Sequence, residues 1–106
     1  MTKYLFEANY VGEGIKGLMR EGGTKRRDAV IEALKSVGGS LDSFYYAFGD
    51  TDVLGVFDIP DHANAAALSL MINSTGTVNL HLKPLLTPED IDEAAKKTPS
   101  YRPPGQ

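Results

Sequence analysis

The chain has 106 residues, a length suited to one compact domain that buries roughly two-thirds of the surface its unfolded form exposes. With 42% hydrophobic and 24% charged residues, its composition excludes disorder and collagen-like repeats, and no apolar run approaches the roughly 18 residues of a membrane helix. The absence of cysteine excludes disulfides, thiolate metal sites and Cys nucleophiles, and a net charge of -3 from 11 basic and 14 acidic residues is far from the basic balance of general nucleic-acid binding. The opening Met-Thr-Lys-Tyr-Leu-Phe-Glu lacks the apolar stretch of a signal peptide, so a soluble cytoplasmic protein with no membrane or nucleic-acid partner is expected.

Residues 3 to 10 alternate, with Tyr4, Phe6, Ala8 and Tyr10 on one face and Lys3, Leu5, Glu7 and Asn9 on the other, the period of a half-buried strand. From Val11 to Val37 the spacing becomes helical: Ile15, Leu18 and Met19 form one apolar cluster, and Ala29, Val30, Ala33, Leu34 and Val37 form a second. Gly22-Gly23 separates the two, which predicts a short first turn, a break, and a longer helix beginning after Thr24 and stopped at Gly38-Gly39. The aromatic segment Leu41 to Phe48 and the apolar segment Val53 to Ile59, joined by Gly49-Asp50-Thr51-Asp52, predict a hairpin.

Pro60-Asp61-His62 closes that hairpin, and the alanine-rich stretch from Ala63 to Ser74 predicts a second helix able to approach a sheet closely. Val78 to Leu86 alternates again as a fourth strand. Thr87-Pro88-Glu89-Asp90 combines a hydroxyl cap, a proline at the first helical position and acids in the first turn, so a short helix to about Lys97 follows. Residues 1–97 thus read as a single domain, and residues 98–106, with three prolines, as a flexible tail.

The order strand, helix, strand, strand, helix, strand, with right-handed crossovers, predicts an α+β, ferredoxin-like βαββαβ fold: a four-stranded antiparallel sheet ordered 4-1-3-2, both main helices on one face, and a short extra C-terminal helix. The other face is then uncovered. The first strand sends Leu5, Glu7 and Asn9 to it, and the fourth sends Asn79, His81 and Lys83. On the hairpin strands both parities are apolar, Phe44, Tyr46 and Phe48 against Leu41, Tyr45 and Ala47, and Val53 and Phe57 against Leu54 and Val56. Either parity leaves half of the open face greasy, which marks an interface or ligand surface and predicts a homodimer whose sheets face each other as a dimeric α/β barrel with C2 symmetry.

Several segments taken together resemble a known family: Tyr4-Leu5-Phe6, Glu21-Gly22-Gly23-Thr24-Lys25-Arg26-Arg27, the stretch from Phe44 to Val53, Ala65 to Leu70, and Leu85-Leu86-Thr87-Pro88-Glu89. The combination resembles the GYD-domain family and spans nearly everything before the tail. The resemblance implies a small bacterial protein with a ferredoxin-like, dimeric α/β-barrel fold, and it assigns no activity. The family's Gly-x-Tyr-Asp signature stands here as Gly49-Asp50-Thr51-Asp52, with Thr51 in place of the tyrosine.

The most unusual local feature is Lys25-Arg26-Arg27, three cations in a helical first turn where the macrodipole favours acids. One reading is an anion site, in which backbone N–H groups after Gly22-Gly23, together with Gly23, Thr24, Lys25, Arg26 and Arg27, hold a phosphate or carboxylate. The other is a solvated basic turn neutralised by Glu21 and Asp28 or by a partner's acids. The glycines form neither a phosphate loop nor a dinucleotide fingerprint. Asp50 and Asp52 have a spacing that could ligate a hard cation, but a hairpin turn uses Asp for its own backbone, and no metal or cofactor is expected.

His81 shares its face with Asn79 and Lys83, and Glu7 and Asn9 on the neighbouring first strand could lie beside it, in a register that the sequence leaves open. His81 and Glu7 are therefore candidates for a His-carboxylate general base, and Asn9, Asn79 and Lys83 for polar ligand anchors, against the plainer reading of polar groups hydrating a barrel mouth. His62 reads as a surface residue. Tyr46 and Phe48, with Phe57 or Val56, are candidates to line a barrel cavity for a small apolar ligand. Three functions follow as expectations: a homodimeric small-ligand-binding protein, a cofactor-free enzyme resembling monooxygenases of aromatic or polyketide-like compounds, or a structural or regulatory oligomerisation module.

Overall fold

The structure is a computed structural model that describes residues 1–106. Its elements are β1 (Thr2–Tyr10), α1 (Glu13–Glu21), α2 (Gly23–Ser36), β2 (Ser40–Tyr46), β3 (Val53–Ile59), α3 (His62–Ser74), β4 (Val78–Pro84) and α4 (Pro88–Ala95). The strands form one sheet in the order β2-β3-β1-β4, with every neighbouring pair antiparallel. This is the α+β, ferredoxin-like arrangement expected from the element order, with α4 as the extra C-terminal helix.

Local chemistry explains the ends of the elements. Gly22, at φ 84, ends α1 with its N–H on the Leu18 carbonyl and turns the chain straight into α2. Gly38, at φ 77, closes α2 in a double C-terminal bond, Gly39 N–H to Leu34 and Gly38 N–H to Lys35, the pattern a left-handed glycine permits. The Asp61 side chain caps α3 by accepting from the Asn64 N–H at 2.8 Å, and Thr87 and Asp90 form a reciprocal capping box on α4. β2 stops at Tyr46, two residues before the predicted end, because the Ala47 N–H already bonds back to Asp52 and closes the hairpin. Pro84, which has no N–H, ends β4 two residues early.

The helices cover one face of the sheet. Tyr4, Phe6 and Ala8 of β1 are buried with Val53, Phe57 and Ile59 of β3, against Leu34 of α2 and Ala65 and Leu68 of α3. Phe6 lies directly opposite Gly55, and a Cβ there would sit 2.7 Å from the ring and 2.1 Å from the Ser43 carbonyl oxygen, so only glycine fits. The parity that the apolar hairpin left open is settled by register: Val53, Gly55, Phe57 and Ile59 face the helices, and Leu54, Val56 and Asp58 face away. An irregularity between Leu41 and Ser43 shifts the phase of β2, so Leu41, Phe44 and Tyr46 all lie opposite buried β3 residues while Tyr45 lies opposite Leu54.

Beyond this body the chain projects outward. Every residue from Lys83 to Gln106 is exposed, and the longest dimension is 54 Å. The radius of gyration is 16.8 Å, against about 13 Å for a compact chain of this length. No helix is long and apolar enough to cross a membrane.

Candidate functional site

Between the sheet and the helices lies an apolar cavity of about 120 Å³. Phe6 and Phe44 line it from the sheet, Val30 and Ala33 from α2, and Leu68 and Ile72 from α3. It exists because α2 presents small side chains at Ala29 and Ala33 where the two helices would otherwise fill the space over the sheet. Its size is of the order of the roughly 150 Å³ apolar cavities that stay dry and take up one aromatic ring.

A second, polar cleft of about 270 Å³ adjoins it at the α1–α2 junction, and Tyr10, Arg26 and Val78 line both spaces. The cleft is shaped by a close backbone approach: the Val11 N–H bonds to the Thr77 carbonyl at 3.0 Å, and a Cβ on Gly14 would meet that same oxygen at 2.0 Å. Glu13, Arg20 and Glu21 form its charged wall. Glu13 is paired with Lys16 at 3.4 Å, and Glu21 lies 3.6 Å from Arg26. Arg20 has no ion-pair partner in the chain. A single long contact such as Glu21–Arg26 is a loose pair.

The three cations of the basic turn have different surroundings. Arg26 alone of the three cations lines the cavity. Arg27 pairs with Asp28 at 3.4 Å, and Lys25 makes no ion pair. The pairings of Arg26 with Glu21 and Arg27 with Asp28 are those of the neutralised-turn reading. Thr24 is exposed, and the Gly23 carbonyl accepts the Tyr46 hydroxyl hydrogen at 3.0 Å.

The proposed barrel lining changes more. Tyr46 does not face the open side of the sheet: the shift in β2 turns it to the helix side, where it packs edge-on against Phe44 with ring centres 5.2 Å apart. Burial first, and the neighbouring Tyr10 second, push its hydroxyl pKa up to about 12, while Arg26 and Arg27 pull it down. Phe48 lies beyond the strand and is fully exposed, Phe57 belongs to the core, and Val56 faces the open side.

On the open face, register places Glu7 directly opposite His81, Asn9 opposite Asn79, and Leu5 opposite Lys83. The Glu7 carboxylate nevertheless turns to Lys83, whose ammonium donates to it at 3.3 Å, and makes no bond to the exposed His81. The two candidate catalytic groups are neighbours without a hydrogen bond between them. Lys3 reaches both Asp42 and Asp58, at 3.1 Å for the latter, and these bonds raise its pKa. Apolar Leu5, Leu54, Val56 and Tyr45 fill the remaining open surface.

Asp52 has a different role from the turn chemistry expected of it. Its carboxylate accepts from the Tyr10 N–H at 2.9 Å and its own N–H bonds to Ala8, so it fastens the end of β1 beside the cleft. No group of three His, Asp or Glu side chains could hold a metal ion. His62, exposed at the start of α3, shares a hydrogen bond through Nδ1 with the Tyr4 hydroxyl.

Sequence reasoning missed the cavity itself, although a signal was present. Arg26, Ala29, Val30 and Ala33 follow the helical spacing of one face, which separates Arg26 from Lys25 and Arg27.

A four-stranded βαββαβ sheet with one helical layer defines a small ferredoxin-like α+β protein. The chain belongs to the GYD-domain family, whose model matches residues 4–95. Among solved structures it is similar to a protein of unknown function from Nitrosomonas europaea, at 18% identity, covering 94% of this chain and 96% of that one with a TM-score of 0.41. No curated protein matches the chain.

Proposed function

We propose that this protein is a small-ligand-binding homodimer, and that its ligand is a small amphipathic anion with one ring or a short aliphatic chain. The apolar part occupies the cavity under α2 and α3, and the anionic group lies in the cleft against Arg26, with Arg20 nearby. The observation that carries this reading is the position of Arg26, at the junction of an apolar cavity and a polar cleft. A carboxylate there gains charge-assisted hydrogen bonds to a guanidinium that a single long contact to Glu21 holds now. The dimer reading rests on the open face, where Leu5, Leu54, Val56 and Tyr45 form an uncovered apolar strip between charged flanks.

Calorimetry with hexanoate and with uncharged hexanol tests the ligand reading. Hexanoate binds the wild type, and Arg26→Gln weakens it about tenfold, the loss of roughly one charged hydrogen bond, while hexanol binds both proteins alike. Absence of hexanoate binding at millimolar concentration, or equal binding by Arg26→Gln, contradicts it. Light scattering at micromolar concentration tests the dimer, and a monomer mass contradicts that part.

A further inference from the structure

We propose that the C-terminal arm, Leu85 to Lys97, docks on a second copy of this chain, its acidic helix α4 lying against Lys25 and Arg27 and its apolar residues in the groove beside Tyr46 and Phe48. The proposal needs a second copy but does not depend on the ligand or on the sheets meeting face to face.

The arm has the properties of a segment that lacks its binding surface. α4 is eight residues long, with a complete capping box at its start, yet helices shorter than about 12 residues are marginal in water without a surface to pack on. No surface of its own chain serves. The last hydrogen bond to the body is from the Leu85 N–H to the Lys3 carbonyl at 2.9 Å, and no residue of α4 is buried. Leu86 and Ile91 remain 67% and 54% exposed.

The complementary surface lies at the other end of the sheet. A groove of about 380 Å³ runs between Ile15, Leu18, Tyr46 and Phe48, and Phe48 beside it is fully exposed. A second of about 380 Å³ continues past Thr24 and Arg27 to Tyr45. Charge selects this region over the open sheet face. The arm helix carries Glu89, Asp92 and Glu93 besides the capping Asp90. On the open face, Lys3 and Lys83 are already paired with Asp42, Asp58 and Glu7. At the start of α2, Lys25 is unpaired and Arg27 meets only its sequence neighbour.

Distance makes the occupant a second copy. Leu85 lies beside Lys3, whereas Tyr46 pairs with Val53, which pairs with Ala8. Five residues along the strands and three steps across them put the groove about 22 Å from Leu85, at roughly 3.3 Å per residue and 4.8 Å per strand. The link from Leu85 to Thr87 spans about 7 Å and the helix adds about 6 Å by Ile91, so Ile91, the large apolar residue of α4, falls short of the groove of its own chain. Two chains exchanging arms about a two-fold axis satisfy both grooves and close the assembly.

The chain has no cysteine, so a full-length variant carrying Phe48→Cys and Ile91→Cys reports the contact directly. Oxidation links it into a covalent dimer, and neither single variant links to a comparable extent. Adding Lys25→Glu and Arg27→Glu lowers the yield about tenfold, and combining these with Glu89→Lys and Glu93→Lys restores it. A link closed within one chain, or single variants that link as well as the double one, overturns the proposal. So does a dimer mass without any link, an outcome that leaves the sheet-to-sheet dimer standing, whereas a monomer mass refutes both.

Discussion

Tyr46 donates its hydroxyl hydrogen to the Gly23 carbonyl oxygen at 3.0 Å, tying the outer edge strand to the first residue of α2. The contact depends on the glycine, since a Cβ on Gly23 would stand 2.9 Å from the Tyr46 ring. It holds α2 at the end where Arg26 enters the cleft.

Because the pKa of Tyr46 rises from 10.0 to about 12, the folded state keeps a proton that the unfolded chain releases near pH 10. The sign follows: this contribution to stability is complete below pH 10 and is lost as pH climbs from 10 toward 12. Titration of tyrosinate absorbance will show a late step from Tyr46, and Tyr46→Phe will abolish it. The same variant loses about 0.5–1 kcal/mol at neutral pH, a neutral hydrogen bond at a half-exposed site, measured by urea unfolding.

Gly55→Ala will destabilise the fold severely. The added methyl would overlap the Ser43 carbonyl oxygen at 2.1 Å and the Phe6 ring at 2.7 Å, so both a backbone pairing and the core must move. Overpacking costs about 1–3 kcal/mol or more, and a loss of at least about 3 kcal/mol in denaturant unfolding is expected here because one obstacle is backbone.

Asp52→Ala removes the acceptor of the Tyr10 N–H. A loss of about 1–2 kcal/mol is expected, that of a hydrogen bond to a charged group at a part-buried site. Hydrogen exchange will show the effect concentrated at Tyr10 and Val11, the residues that open the cleft.

Ala33→Leu fills the cavity from α2. Added apolar contact in an existing void raises the melting temperature, while hexanoate loses its place and no longer binds. A variant that is more stable and still binds hexanoate would place the ligand elsewhere.

β1 and β4 were legible in the sequence because each has one apolar and one polar parity, which correctly sends Glu7, Asn9, Asn79, His81 and Lys83 to the open face. The hairpin itself was legible too, but the facing of its strands was not, because both parities of β3 are apolar and the irregularity beside Asp42 puts Leu41 and Phe44 on the same face. No local pattern announces such a shift, and it carries Tyr46 away from the barrel lining assigned to it. The cations of α2 read as one basic turn because their charge is conspicuous, whereas their separate roles depend on helical phase. A cavity is harder still to read, since it depends on how far apart α2 and α3 sit on the sheet.

The most direct test of the account is an amide chemical-shift map of the protein titrated with hexanoate. A ligand under the helices will shift Arg26, Ala33, Leu68 and Ile72 and leave Leu54, Val56 and His81 unmoved. Shifts confined to Leu54, Val56 and His81 would place the ligand on the open face of the sheet and contradict the account.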